Sequence, residues 1–258
     1  MGDAGLRVER ARDVAWVTLD RPPLNLLDPA LIAALTDAFG ALAGDASLRA
    51  AVVTGAGRAF TAGMNVNVLR ELDATSGRRL ITSLHNAIDA VHRAPFPVIA
   101  AVNGACLGAG FELALACDLR VAADTAIFGL PEVRVGVPSV IHAALLPPMI
   151  GPARAAEMLL LGGSVTAAQA LQWALVNRTV APAELQGAVE AWLTTLRACA
   201  PTAVRLQKEL IVRWRETDLP AAVRAGIDAF ARAYETGEPR EGAEAFLAKR
   251  APRFGEVR

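Results

Sequence analysis

The chain lacks any net electrostatic character. Its 258 residues carry 26 Lys and Arg against 26 Asp and Glu, a formal net charge of +0 at pH 7. With no overall basic field to collect phosphates, no nucleic-acid partner is expected. Cysteine is scarce: Cys106, Cys117 and Cys199 are an odd number with no C-x-x-C pair. A disulfide framework is therefore not expected, and small core thiols in a reducing cytoplasm are. The opening residues, MGDAGLRVERARD, hold no signal-peptide apolar run, and Leu6 breaks a myristoylation pattern. No uninterrupted apolar run is long enough to span a bilayer, so no membrane partner is expected either. His85 and His92 lie seven apart on one helical pattern without a third ligand at compatible spacing, which argues against a metal site. No G-x-S-x-G or Walker motif stands in a supporting context, and Gly108-x-Gly110 lacks the third glycine and the acidic residue of a dinucleotide site. There is no internal repeat and no low-complexity linker.

What is present is apolar mass. At 53% hydrophobic and 20% charged, the chain can bury the core of one large domain, alone or with an appendage. Residues 6–10 and 14–19 read as a β-hairpin. Asp28-Pro29 then starts a helix, with Asp as N-cap, Pro at the first helical position and Leu31, Leu35, Ala38 and Leu42 as its apolar face. A short strand, 50–53, precedes a small-residue loop, 59–68. A helix over 76–93 presents Leu80, Leu84, Ile88 and Val91, and is stopped by Pro95 and Pro97 before a buried strand, 97–102. Strand and helix alternate this far, which predicts an α/β layer. Beyond Glu132 the patterns are helical: 140–150, 153–161, 166–174, 184–198, 202–215, 219–236 and 239–249, with a loop and short strand over 174–180. The boundary falls near 200, dividing a core domain (1–200) from a C-terminal helical region (201–258).

The stretch 100–132, AAVNGACLGAGFELALACDLRVAADTAIFGLPE, organises the rest. A buried strand breaks at Asn103-Gly104, and a second glycine-flanked turn, Gly108-Ala109-Gly110, opens an apolar helical segment. Such a turn leaves backbone N–H groups unpaired at the positive end of the helix, able to hold an oxygen that becomes anionic during a reaction. Glu112 and Glu132 bracket the segment. Glu112 is a lone charge among Phe111, Leu113, Ala114 and Leu115, a costly placement unless it has a partner or a task. Oxyanion donors beside two carboxylates point to acid/base chemistry on a carbonyl compound.

Five stretches in this order carry a resemblance: VAWVTLDRPPLNLLD, AFTAGMNV, NGACLGAGFELALACDLRVA, FGLPEVRVGVP and AFLAKRAPRF. Together they resemble the enoyl-CoA hydratase/isomerase (crotonase) superfamily over nearly the whole chain. The resemblance implies a crotonase-like (ClpP/crotonase) α/β spiral of ββα units in two sheets, with a C-terminal helical trimerisation region and assembly as a homotrimer or a hexamer. It implies an oxyanion hole from the N–H groups of Met64 and Ala109. Leu24, Leu26, Ala62, Asn65, Ser139, His142, Lys249 and Phe254 are the implied contacts to the acyl-CoA. No cofactor is implied beyond the coenzyme A of the substrate.

Glu112 and Glu132 match the two glutamates of the family's hydratases, which implies syn addition of water to a 2-enoyl-CoA. Glu132 would deliver the α-proton and Glu112 would hold and activate the water. An isomerase, a dehydratase of a specialised acyl-CoA and a non-catalytic acyl-CoA-binding member are the alternatives; retention of both carboxylates favours hydration or its reverse. The chain departs from the family pattern at Asn65, where Asp is common, at Asn67, where Lys is frequent, and at Pro138-Ser139-Val140-Ile141-His142, which replaces a glycine-rich stretch.

Overall fold

The computed structural model describes residues 4–254. The first three residues, which begin the N-terminal reading given above, lie outside the described residues. The hairpin forms as expected: β1 (Leu6–Ala11) pairs antiparallel with β2 (Val14–Leu19). Helix α1 (Pro29–Ala43) follows, its first turn capped by the Asp28 carboxylate accepting from Leu31 N–H.

Three strand pairs then repeat one path. β3 (Ala50–Gly55) and β4 (Ala59–Thr61) lead to the short α2 (Val66–Arg70) and the long α3 (Ala74–His92). β5 (Val98–Val102) and β6 (Ala105–Leu107) lead to α4 (Ala109–Ala116). β7 (Leu119–Ala123) and β8 (Ile127–Gly129) lead to a 3₁₀ turn, Glu132–Val135. The first strand of each pair joins one sheet and the second joins another, so the chain climbs as a spiral of ββα units. Two later strands complete the sheets, β9 (Ser164–Thr166) and β10 (Arg178–Val180). The six-stranded sheet runs β1-β2-β3-β5-β7-β10, parallel from β2 onward, and the four-stranded sheet runs β4-β6-β8-β9.

Strands β3, β5 and β7 are mostly small apolar residues, Thr54 and the buried Arg120 apart, because the large sheet is covered on both faces. Val17, Val53, Val98, Ala100 and Ala122 face the main core, whereas Val52, Ile99 and Val121 pack with Val189 and Leu193 of α8 (Leu185–Ala198).

The remaining helices are α5 (Leu146–Ile150), α6 (Pro152–Leu161), α7 (Ala167–Gln172), α9 (Pro201–Glu216), α10 (Leu219–Ala233) and α11 (Glu238–Leu247). The expected single helix over 140–150 is instead a 3₁₀ turn, Ile141–Leu145, followed by α5. Pro147 and Pro148 lack the N–H that would continue a helix, so they sit in the first turn of a new one. The expected loop 59–68 contains β4 and α2, and Thr166 ends β9 before capping α7. Arg205 of α9 donates to the carbonyls of Pro95, Asp45, Ala46 and Leu48, and the Lys208 ammonium lies 2.6 Å from Asp118, so α9 is tied to the α/β core. Among the described residues no helix is long and apolar enough to cross a membrane.

Candidate active site

Two glycine turns meet at the head of α4. In the first, the buried Thr61 hydroxyl accepts from Gly63 N–H at 3.0 Å, and Gly63 adopts φ +88°. A Cβ on Gly63 would stand 2.8 Å from the Leu107 carbonyl and 3.5 Å from the Ala109 nitrogen, so this turn closes on the second only because the side chain is missing. In the second, Gly108 adopts φ +56° as it opens α4. Met64 and Ala109 are thus neighbours across the two turns. Neither N–H has a protein acceptor among the described residues. Two amides without a protein acceptor thus lie at adjoining turns, one of them at a helix N-terminus, where N–H groups are able to hold an anion.

The segment before α1 supports this arrangement. Ala62 N–H donates to the Leu24 carbonyl at 2.9 Å, Leu27 N–H to the Gly63 carbonyl at 2.9 Å, and Asn65 N–H to the Leu27 carbonyl at 2.8 Å. These bonds pair the segment 24–27 with the loop 62–65 that carries Met64. Asn65 uses its side-chain oxygen to cap α2 through Asn67 N–H. Asn25 is fully buried and fastens the loop; its amide donates to the carbonyls of Ala56, Ala59 and Phe60.

The carboxylates close the other side. Glu112 is in the first turn of α4 and only 3% exposed. Its Oε1 accepts from the backbone N–H of Ala143 at 3.0 Å. Burial pushes its pKa up to about 8; the Ala143 bond opposes that rise and the Glu132 charge adds to it. Glu132, half-buried at the start of its 3₁₀ turn, accepts from the Ser139 hydroxyl at Oε2, 2.7 Å away. Its Oε1 faces Gly108, where a Cβ would come within 2.9 Å. Glu132 Oε1 thus borders the turn that carries Ala109, and Glu112 sits in the helical turn that follows it. Ala143 gives no sign of this role in the sequence, because an N–H donor is independent of its side chain. Thr61 and Asn25 are small polar residues in apolar surroundings, a signal that was available.

The other anticipated contacts fall differently. The His142 ring does not line the carboxylate pair; it turns onto α3, its centroid 5.5 Å from His85 and 5.6 Å from His92. Burial and these two imidazoles push its pKa down to about 4, and stacking against α3 explains the orientation. Lys249 is exposed beyond α11, and the Phe254 ring rests on Gly242 of that helix; neither shares a described contact with the glutamates. A groove of about 510 Å³ between α1, α2 and α3, lined by Ile32, Val68, Leu72 and Leu80 among others, contains none of the anticipated site residues. Among the described residues no three His, Cys, Asp or Glu side chains are placed to share a metal ion.

Two amides without a protein acceptor among the described residues stand at adjoining glycine turns, with one carboxyl beside the second turn and another in the helix it opens. The family model for enoyl-CoA hydratase/isomerase matches residues 9–257. The chain is similar to the short-chain-enoyl-CoA hydratase of Clostridium acetobutylicum, 32% identical over 246 residues and covering 94% of each chain. It is 36% identical to the carnitinyl-CoA dehydratase of Salmonella arizonae over 258 residues, covering 96% of this chain and 97% of that one. The crystal structure of an enoyl-CoA hydratase from Mycobacterium smegmatis superposes with a TM-score of 0.94 at 36% identity, over 97% of this chain and 99% of the other. The chain belongs to the enoyl-CoA hydratase/isomerase family, and its fold is crotonase-like.

Proposed function

We propose that the protein hydrates a 2-enoyl-CoA to a 3-hydroxyacyl-CoA by syn addition of water, in the cytoplasm and without metal or redox cofactor. The observation that carries this reading is Glu132 beside the turn of Ala109 and the buried Glu112 in the helical turn after it, with the N–H groups of Ala109 and Met64 lacking a protein acceptor among the described residues. The two amides take the thioester oxygen as electron density flows onto it from the double bond. Water oxygen bonds to the β-carbon and gives one proton to a carboxylate, while the other carboxyl gives a proton to the α-carbon. Atoms and charge balance within the pair, so no redox partner is required. Losing one oxyanion donor costs roughly 3–4 kcal/mol in comparable sites, enough for the amides to dominate any single binding contact.

Burial holds the Glu112 pKa at about 8, so in the free site Glu112 keeps its proton up to about that pH. A protonated Glu112 suits expulsion of a β-hydroxyl while Glu132 takes the α-proton; hydration is the same path reversed, with the proton supplied from Glu132. This supports dehydration of a specialised 3-hydroxyacyl-CoA as a second reading, and the Salmonella arizonae relative, named a dehydratase, adds weight to it. We assign contacts to the acyl-CoA to Leu24, Leu26, Ala62 and Asn65, and those to its coenzyme A to Lys249 and Phe254, supplied across a subunit boundary.

The test is turnover of a panel of 2-enoyl-CoA thioesters, followed as loss of conjugated absorbance. Glu132→Gln is expected to cut kcat by at least about 10²-fold, the usual scale of general acid/base catalysis, while binding is retained. Glu112→Gln is expected to depress hydration more than exchange of the α-proton. Dehydration of a 3-hydroxyacyl-CoA should fall as pH rises through about 8, where Glu112 loses the proton it gives to the leaving hydroxyl. Near-normal turnover by Glu132→Gln would remove the reading.

A further inference from the structure

Glu132 is held by more than its own backbone. The 3₁₀ turn Glu132–Val135 ends at Gly136, whose left-handed conformation (φ +85°) reverses the chain. Val137 N–H then donates to the Glu132 carbonyl at 3.2 Å, closing a loop on that residue. Two residues on, the Ser139 hydroxyl reaches the Glu132 carboxylate at 2.7 Å. The opposite oxygen, Oε1, faces Gly108 at the head of α4, where a side chain would collide with it. The stretch 139–143 therefore holds both carboxyls, Glu132 through the Ser139 side chain and Glu112 through Ala143 N–H. His142 anchors this stretch in the interior by its contacts with His85 and His92.

We infer that Ser139 is a positioning residue for the reaction: its hydroxyl fixes the rotamer of Glu132 and occupies Oε2, leaving Oε1 as the oxygen that exchanges a proton with the α-carbon. The inference rests on the role proposed for Glu132. A glutamate carboxylate has three side-chain torsions, and without a second anchor it samples several orientations toward solvent. Gly108 limits Oε1 on one side only, so the hydroxyl supplies the remaining constraint. Ser139 thereby sets the direction of the oxygen facing the substrate.

The experiment compares Ser139→Ala and Ser139→Thr with the unaltered protein and with Glu132→Gln. The readouts are kcat and KM on the best 2-enoyl-CoA, with α-proton exchange measured alongside. Ser139→Ala is expected to lower kcat roughly 10- to 100-fold, the equivalent of one hydrogen bond to a charged group, with KM within about 2-fold. The α-proton exchange should fall as far as hydration, since both use Glu132. Ser139→Thr, which keeps the hydroxyl, should recover most of the rate. Normal kcat and normal α-proton exchange in a folded Ser139→Ala protein would overturn the inference. So would a loss that Ser139→Thr does not restore and that merely follows a lowered melting temperature. If Glu132→Gln is inactive while Ser139→Ala is normal, only the Ser139 assignment fails; if Glu132→Gln is fully active, the proposed function fails with it.

Discussion

A carboxyl that sits 3% exposed among apolar neighbours leaves a trace in stability as well as in activity. Glu112 titrates near 8 in the folded chain against a reference of 4.5. Between those values the folded protein binds more protons than the unfolded one, so stability falls as pH rises, and the loss levels off above 8. Glu112→Gln keeps the neutral form at every pH. Its melting temperature should match that of the unaltered protein near about pH 5 and exceed it near about pH 9, while activity is lost. A difference that does not widen over that interval would contradict the burial argument. Glu112 was legible in the sequence because one charge interrupts an apolar helix. Its donor was not: Ala143 lies 31 residues away and contributes only an N–H. Likewise His142 could be suspected of approaching the site, yet which way its ring turns was settled by the space left between α3 and the 3₁₀ turn.

At the scale of elements, the ends of the helices were readable wherever a side chain does the capping. Asp28, Asp73, Thr166 and Asp218 each accept from the first turn of a helix. Strands of the second sheet were not readable, since three residues carry no periodicity and their pairing partners are remote. The docking of α9 was also hidden. Lys208 occupies a helical position that reads as surface, but its side chain is 3% exposed and its ammonium meets Asp118. Asp118 also accepts from Val98 N–H at the start of β5, so the pair connects the C-terminal helices to the central strand. Lys208→Ala would leave Asp118 largely buried without its cation and should cost about 3–5 kcal/mol in urea unfolding. Lys208→Met with Asp118→Asn should cost less than that single change. A loss below about 1 kcal/mol for Lys208→Ala would mean that the pair is effectively solvated.

For the molecule as a whole, α10 raises the question of what covers it. Leu219, Val223, Ile227, Phe230 and Tyr234 recur at helical spacing and are each more than half exposed. A stripe of this size is unusual on a monomer surface. We propose that it packs against other copies of the chain in a homotrimer or hexamer. Sedimentation velocity should find the unaltered protein as a multimer, and Ile227→Asp combined with Phe230→Asp should shift it to monomer. Multimers that survive the double change would exclude α10 from the contact.

The sequence by itself determined the alternation of strand and helix, the glycines that allow two turns to approach, and the presence of two carboxylates flanking the second turn. Those features are local: they depend on periodicity, backbone freedom and the cost of a charge in an apolar run. Only the tertiary structure decided which residues hold the carboxylates, because Ser139, Ala143 and Gly108 reach them by the return of the chain through the spiral. Hydrogen bonds donated by a hydroxyl or a main-chain N–H depend on where the donor arrives, and that position is a property of the packed chain.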